Sequence, residues 1–435
     1  MSSSFNTLDS SRNNSSMDDL KKRIFYTLFI LIIYRLGTYI PISGIDPSAL
    51  KNLISTNERS LLGMFNVFAG GAVSRMAIFT LGIMPYISSS IIIQLLTGVT
   101  EYFKNLKNSG EIGRRKITQY TRYGTILLAV VQGYGVAVGL ESSQGAVLEP
   151  GIYFRLITTI TLVSGTVFLM WLGEQITSRG IGNGISLIIF AGIVAEIPGA
   201  IFSTFELGRT GAVSGISILV IITILIAVIY FIVFVERAQR RIFIQYPRRQ
   251  VGNKMFGGES SYLPFKINTS GVIPAIFASA LLILPITLSN YFSPDNAIVV
   301  SFFSMLGQGQ PLNMIIYAIG IIFFSFFYTS TILNPKETAE NLRKHGGYIP
   351  GIRPGEQTEI FVEQTLVKLT TIGSLYLVII CLLPEFIISK YPIPFYLGGT
   401  SVLIVAVVAM DTIAQVQTRL MSQQYASLIK KTKFS

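Results

Sequence analysis

The residues that could do covalent or metal chemistry are few in this chain of 435 residues. It contains one cysteine, Cys381, and one histidine, His345. A single Cys excludes an internal disulfide framework, and one Cys with one His is too few ligands for a zinc site. A lone His also leaves no Ser, His and Asp set for a hydrolytic triad. The sequence therefore predicts no enzyme activity, no metal site and no cofactor.

A glycine-rich run at residues 180–184 is the one pattern that suggests phosphate binding. It reads GIGNG, but an apolar helical stretch precedes it, whereas a phosphate-binding loop follows a strand. We therefore interpret the run as a flexible, close-packed start of a helix.

Two pairs of isoleucines have the spacing of one helical turn. They are Ile83 with Ile87 and Ile185 with Ile189. Residues four apart lie on one helix face, and such pairs are typical of lipid-facing or helix-packing surfaces. If the two pairs face each other across a cavity, they form an apolar constriction that blocks water and ions by dewetting. The spacing alone leaves both interpretations open.

The composition indicates the elements that must position these residues. Hydrophobic residues make up 50% of the chain and charged residues 13%, and the mean hydropathy is +0.58. The long uncharged runs predict a polytopic membrane protein. Residues 1–19 are polar and lack the apolar region of a signal peptide, so we expect a disordered tail. The predicted spans are 24–43, 76–97, 119–140, 152–173, 183–202, 214–236, 270–290, 313–333, 367–388 and 395–415.

The basic residues predict how these ten spans are oriented. Lys21, Lys22 and Arg23 precede the first span and mark that side as cytoplasmic. An even number of spans returns the C-terminus to the same side. This topology places 27 of the 34 Lys and Arg residues on the cytoplasmic side. The net charge of +12 is thus mostly an orientation signal and requires no nucleic-acid partner.

The stretch from Leu61 to Thr97 contains a predicted span with a short apolar segment before it. Residues 76–96 are uncharged and long enough to cross a bilayer, whereas residues 61–73 are too short. Gly70 and Gly71 separate the two. Irregular backbone at membrane depth is tolerated only inside protein or beside a water-filled cavity, so we expect a half-helix that ends in a cavity. An amphipathic helix on the membrane surface is the alternative.

Arg35, inside the first span, is expected to have a structural role.

Two cytoplasmic loops are too long to be simple connections. Loop 236–268 has β-prone runs at 241–246 and 260–266, which predicts a basic hairpin. Loop 333–363 contains a short polar helix and then a turn rich in Gly and Pro, which should hold Arg353 in a fixed position. Solvated basic faces are the simpler interpretation. However, Arg in a structured turn also suits phosphates or acidic protein surfaces.

Several long motifs carry a resemblance to a known family. They are FNVFAGGAVSRMAIFTLGIMPYISSSIIIQLL, GRRKITQYTRYGT, FLMWLGEQITSRGIGNGIS, VFVERAQRRI, GVIPAIFAS, NPKETAENLRKHGGYIPGIRPGEQT and PFYLGGTSVLIVAVVAMDTIAQVQT. Together they resemble the SecY family, the channel subunits of the bacterial protein translocase. The resemblance runs from about Lys22 to the C-terminal tail.

The resemblance implies an all-α fold in which ten transmembrane helices form two inverted five-helix halves around an hourglass pore. The N-terminal half would be residues 20–210, with a plug at 61–73. The C-terminal half would be residues 211–416, followed by a cytoplasmic tail at 417–435.

The resemblance also implies three functional groups of residues. The pore ring would consist of Ile83, Ile87, Ile185, Ile189, Ile276 and Ile404. The plug would include Phe65, Asn66, Phe68, Gly70 and Gly71. The docking surface for partners would include Arg240, Arg241, Arg248, Arg249 and Arg353.

The implied function is a protein-conducting channel in the bacterial cytoplasmic membrane, with both termini in the cytoplasm. Unfolded preproteins would pass through the ring, and hydrophobic segments would leave sideways between spans 2 and 3 and spans 7 and 8. The implied partners are SecE, SecG, the motor ATPase SecA, the ribosome, preprotein signal sequences and membrane lipids. A ten-span secondary transporter and a structural scaffold are the alternatives. A transporter would need substrate ligands near the midplane, for which the sequence offers chiefly Asn183, Gln94 and hydroxyl groups.

Overall fold

The computed structural model describes residues 3–46, 66, 69–142, 145, 147–210, 214–246, 249–251, 254–256, 260–289, 310–390 and 399–432. Its helices are α1 (Ser3–Gly37), α2 (Met84–Val99), α3 (Glu101–Asn108), α4 (Gly110–Ser142), α5 (Ile152–Arg179), α6 (Gly184–Arg209), α7 (Gly215–Arg237), α8 (Ile273–Ser289), α9 (Pro311–Ile332), α10 (Pro335–Lys344), α11 (Glu356–Lys390) and α12 (Gly399–Thr432). Its strands are β1 (Gln239–Gln245), β2 (Arg249–Val251), β3 (Lys254–Phe256) and β4 (Ser260–Lys266).

Ten of these helices each overlap one predicted span: α1, α2, α4, α5, α6, α7, α8, α9, α11 and α12. Within the described ranges, seven helical segments are long and apolar enough to cross a membrane, and they correspond to α4, α5, α6, α7, α9, α11 and α12. Helix α7 is the most apolar, with a mean hydropathy of 3.4, and it exposes large side chains such as Ile216 and Tyr230. Exposed apolar surface of this extent is expected where a helix faces lipid.

The second span differs from the prediction of a helix across residues 76–97. Helix α2 begins only at Met84 and, at 16 residues, is about 24 Å long. Residues 69–83 form turns instead, because Gly70, Gly71, Met76 and Gly82 all have positive φ angles that an α-helix cannot contain. Neighbouring backbone forms hydrogen bonds with the peptide groups of this irregular segment. For example, the Ile42 N–H donates to the Met76 carbonyl at 2.9 Å.

The first span also differs from its prediction. Helix α1 begins at Ser3, within the residues 1–19 for which the sequence analysis expected a disordered tail. The helix contains no Pro, and its only Gly is the last residue, so nothing interrupts the hydrogen-bond ladder that extends back from its apolar half. It ends at Gly37, six residues before the predicted end of the span.

Helix packing organises the chain into two halves that meet along two seams. In the N-terminal half, α4 packs against α2 and α5, and α5 packs against α6. In the C-terminal half, α9 packs between α8 and α11, and α12 contacts α7 and α11. One seam joins α6 to α7 and α12, and the other joins α8 to α2 and α4. Helices that meet along two seams surround a centre, and this is where the candidate pore residues lie.

Candidate pore and docking surface

All six predicted ring isoleucines belong to one hydrophobic cluster at this centre. Ile83, Ile87, Ile189 and Ile404 are buried, and Ile185 and Ile276 are partly buried against them. They come from the start of α2 and from α6, α8 and α12, so both halves contribute. The structure therefore brings together residues up to 321 positions apart, from Ile83 to Ile404.

Two voids of very different size border these isoleucines. A cavity of about 270 Å³ is lined by Ile189, Ile276 and Ile404 together with polar side chains that include Asn183, Glu236, Asn268 and Gln415. A second void, of only about 10 Å³, is lined by Ile83, Ile87, Ile189 and Ala69. A void of that size can hold one water molecule at most. Ile189 lines both voids, so it lies between the large cavity and the small one.

The residues just before α2 are bound to the rest of the protein on the Ala69 side of the constriction. The Arg35 guanidinium donates to the Gly70 carbonyl at 2.6 Å and to the Tyr39 hydroxyl at 3.0 Å. The Arg75 guanidinium lies over the Tyr39 ring, 4.1 Å from its centroid. Arg35, for which only a structural role was predicted, thus anchors the backbone of the candidate plug.

Two glycines are required where this segment meets α6. Gly70 has φ +63°, and a Cβ there would lie 3.0 Å from Gly192 Cα. Gly71 has φ +77°, and a Cβ there would collide with the Glu196 carboxylate. The sequence analysis missed Glu196, because no sequence signal connects it with a glycine 125 positions earlier.

The structure describes part of the predicted plug. Phe65 and Phe68 lie outside the described residues. Asn66 accepts a hydrogen bond from the Ser74 N–H at its side-chain oxygen, at 2.8 Å, and one from the Gly71 N–H at its carbonyl, also at 2.8 Å. Residues 69–73 are turns, so this end of the predicted half-helix 61–73 is not helical.

The predicted basic hairpin is present as a two-stranded ribbon. Strands β1 and β4 pair antiparallel from Gln239 opposite Lys266 to Gln245 opposite Ser260. Arg240 and Arg241 are exposed on β1. The backbone of Arg249 lies in β2, which pairs with β3, whereas Arg248 lies outside the described residues.

The second long loop packs directly on this ribbon, a contact that the sequence analysis did not predict. Gln245 and Tyr348 exchange two backbone hydrogen bonds of 2.9 and 3.0 Å. Below them, Ile242 and Phe265 of the ribbon share a small core with Ile349 and with Val362 of α11. Residue pairing between such distant segments leaves no local sequence signal.

Arg353 is exposed in the turn that follows this contact. Gly351 and Gly355 have φ angles of +83° and +112°, and the Thr358 hydroxyl donates to the Arg353 carbonyl at 2.9 Å. The predicted Gly/Pro-stiffened turn is therefore present. Since both loops share one core, Arg240, Arg241 and Arg353 belong to a single rigid unit.

A polar contact crosses the seam between α2 and α8 at its loop end. The Lys107 ammonium of α3 donates to the Thr331 carbonyl in the last turn of α9 at 2.8 Å. Partial burial and, secondarily, the charge of Arg114 lower the pKa of Lys107. Next to this contact, Gly98 lies so close to the Phe327 ring that a Cβ would be 3.0 Å from it.

Comparisons with known proteins identify relatives of this chain. A family model described as SecY matches residues 77–413. A Rickettsia bellii protein named "Protein translocase subunit SecY" is 51% identical over 425 residues, which cover 97% of this chain and 98% of the relative. The Escherichia coli K12 protein of the same name is 50% identical over 431 residues, which cover 98% and 97%.

Solved structures with a similar fold confirm the predicted all-α architecture. One is described as "The structure of a protein conducting channel"; it has a TM-score of 0.69 at 20% identity and covers 93% of both chains. Another is described as "Sec61 in the Canine ribosome-channel complex from the endoplasmic reticulum"; its TM-score is 0.65 at 19% identity, with the same coverage.

Proposed function

The chain belongs to the SecY family, and we propose on that premise that it forms a channel through which unfolded polypeptides cross a membrane. The identity of about half of all residues with translocase subunits, over nearly the whole length of both chains, carries this proposal. A ten-span secondary transporter is not favoured, because these relatives are translocase subunits. The chain itself is a multi-pass membrane protein.

Within this channel, the six isoleucines form the constriction. Their burial in one cluster and the void of about 10 Å³ beside them support a closed, dry pore at rest. The segment that includes Asn66, Gly70 and Gly71 covers this constriction as a plug, together with Phe65 and Phe68. The polar cavity of about 270 Å³ is the funnel through which a polypeptide reaches the constriction.

The seam of α2 and α4 with α8 is the exit for hydrophobic segments and the docking site of signal sequences. Support comes from the short α2, from the glycine contact at Phe327 and from the polar contact that Lys107 makes across the loop end. A seam held mainly by apolar packing separates at low cost and opens the channel toward lipid.

The rigid unit of the two loops receives partners of opposite charge. Arg240, Arg241, Arg248, Arg249 and Arg353 form its basic surface, which suits the motor ATPase SecA or a ribosome. A structural relative was solved in a ribosome complex, which favours the ribosome as one partner. We further propose SecE and SecG as membrane partners, and a bacterial cytoplasmic membrane with both termini inside the cell. The two halves would then be residues 20–210 and 211–416.

Reconstitution tests the proposed function. The protein is placed in vesicles with SecE, and SecA, ATP and a radiolabelled preprotein are added; protease-protected preprotein is then measured. We expect ATP-dependent protection. Gradient-driven uptake of a small solute in place of protection would contradict a channel for polypeptides.

Arg353→Glu tests the docking surface in the same vesicles. We expect transport to fall by roughly 30-fold or more, because a lost charge-assisted contact at an interface costs about 2–5 kcal/mol. The ion conductance of the closed channel should not change. Arg209→Glu, an exposed charge reversal at the opposite end of the membrane helices, is the matched control and should transport like the parent. Equal transport by both variants would show that Arg353 contacts no partner.

A further inference from the structure

A hydrogen-bonded polar pair lies at the base of the β1/β4 ribbon, where the ribbon enters the helical body. Glu236 is one residue from the end of α7 and is 6% exposed, and Asn268 is 2% exposed. The Asn268 amide donates to the Glu236 carboxylate at 2.5 Å. We infer that this pair positions α8 according to the state of the ribbon, so that docking at the ribbon is transmitted to the pore ring; this inference rests on the proposed function.

The ribbon and the pair are continuous. The Gln239 and Lys266 pairing is the last rung that belongs to both strands, and one further bond follows, from the Ile267 N–H to the Ala238 carbonyl at 3.2 Å. The side-chain bond between Glu236 and Asn268 comes next after this rung. Asn268 directly follows Ile267, the last residue with a ladder bond, so a tilt of the ribbon acts on Asn268.

On its other side, Asn268 fixes the turn that begins α8. Its second amide hydrogen is donated to the Gly271 carbonyl at 3.1 Å, and its side-chain oxygen accepts from the Ser270 hydroxyl at 3.1 Å. Gly271 has φ +63°, as a tight turn requires. Helix α8 starts at Ile273, only two residues later.

Helix α8 connects this turn to the pore and to the exit seam. It carries Ile276 of the ring, one turn from its start. It also packs rigidly on α9: the Phe277 and Phe324 rings meet edge to face with centroids 5.7 Å apart, and Gly320 lies close to Ala278. A shift of the turn therefore moves Ile276, α8 and α9 together.

The chemistry of the pair suits a positioning role. The Asn268 amide uses both hydrogens and its oxygen, so replacement of either partner leaves a buried polar group without its bond. Coupling between two sites requires an element whose position both sites influence. Here that element is the turn before α8 together with α8 itself. The docking arginines take no part in the bond, whereas both of its partners border the cavity of about 270 Å³.

The experiment measures whether docking still moves the seam when the pair is broken. In a Cys381→Ala background, Ile92→Cys on α2 and Ile319→Cys on α9 supply two exposed positions for spin labels. The labelled protein, in vesicles with SecE, is titrated with ribosomes, and the distance between labels is measured by electron paramagnetic resonance. Preprotein transport is measured on the same preparations.

We expect ribosomes to shift the distance in the parent by about 1–2 Å or more, the size of helix shifts that couple sites. Glu236→Leu and Asn268→Leu should bind ribosomes with a Kd within about twofold of the parent, yet show no shift. Their transport should fall by about 5- to 150-fold, the usual range of coupling. Glu236→Gln keeps an acceptor for the amide and should behave like the parent.

Three results overturn the inference: no shift in the parent, a parental shift in the Leu variants, or the same loss in Glu236→Gln. If the Leu variants accumulate poorly, Ser270→Ala removes only the hydroxyl bonded to Asn268, and a full parental shift in it overturns the inference as well. A parent that transports no preprotein would instead contradict the proposed function.

Discussion

Isoleucine suits the narrowest point of a channel because its branched side chain is apolar and has few rotamers. At Ile189 the structure passes from a polar cavity of about 270 Å³ to a void of about 10 Å³. Water in such an apolar neck loses hydrogen bonds, so the neck can stay dry without being completely filled. The same residues can separate when a polypeptide enters, because no bond between them has to break.

The double variant Ile87→Ser, Ile189→Ser tests this role. Two hydroxyls should hold water in the neck, so we expect the resting channel to conduct ions in planar bilayers, where the parent is closed. Ile188→Ser is the matched control, since Ile188 is buried on the same helix but packs toward Gly173 of α5. Parental conductance in the double variant would contradict the ring.

Sequence reasoning at the residue scale identified the spaced isoleucines but not their polar surroundings. Four of the isoleucines stand at helical spacing, which a sequence displays directly. The contact of Gly71 with Glu196 and the bond between Glu236 and Asn268 join residues far apart in the chain. None of these residues stands out in the sequence alone, so only the fold reveals its partner.

Among the elements, the segment 69–83 shows where hydropathy fails as a predictor. Its apolar side chains are those of a membrane helix, and the sequence predicted one from residue 76. The backbone instead turns at glycines and pairs with residues 40–42, as in the Ile78 N–H bond to the Ile40 carbonyl at 3.0 Å. The hydropathy of a segment indicates whether its side chains are buried, whereas the backbone φ angles determine whether the segment is a helix or a series of turns.

Arg35→Met tests whether the plug is held by the backbone contact at Gly70. The variant keeps an apolar side chain of similar length but loses the donor, and a hydrogen bond to a charged group contributes about 1.5–3 kcal/mol. We expect the fraction of released plug to rise roughly ten- to hundredfold. Export of a reporter with a defective signal sequence, measured beside resting ion conductance, should therefore increase.

Arg209→Met is the control for this variant, because Arg209 is an exposed residue at the end of α6. It should leave both measurements at the parental level. If Arg35→Met also stays at that level while the protein accumulates normally, the contact at Gly70 does not restrain the plug.

For the whole molecule, ion pairs determine which helices can move independently. Arg122 and Glu174 join α4 to α5 with two bonds of 2.8 and 2.7 Å, and Glu141 binds Arg155 at the other end of the same two helices. Helices bonded at both ends move as one body. The sequence predicted ten spans and their orientation from hydropathy and charge, but not these ties, because helix pairing is not encoded in either.

With α4 and α5 tied together, movement between the halves concentrates at the seam with α8 and α9. There the exposed Lys107 side chain donates to the Thr331 carbonyl, a bond of 2.8 Å between the halves. A partly exposed bond of this kind contributes about 0.5–1.5 kcal/mol, because solvent screens it. That is enough to shift the ratio of open to closed seams by roughly two- to tenfold.

Lys107→Met should therefore favour the open seam. We expect a reporter with a marginally hydrophobic segment to enter the membrane laterally more often, by up to about tenfold, since the closed seam loses its bond at the loop end. Lateral entry is scored by alkaline extraction of the reporter from reconstituted vesicles. Lys107→Arg keeps a donor and should resemble the parent, and Lys104→Met removes an exposed charge from the same short helix without touching the seam. Equal insertion with Lys107→Met and Lys104→Met would show that the bond to Thr331 does not hold the seam closed.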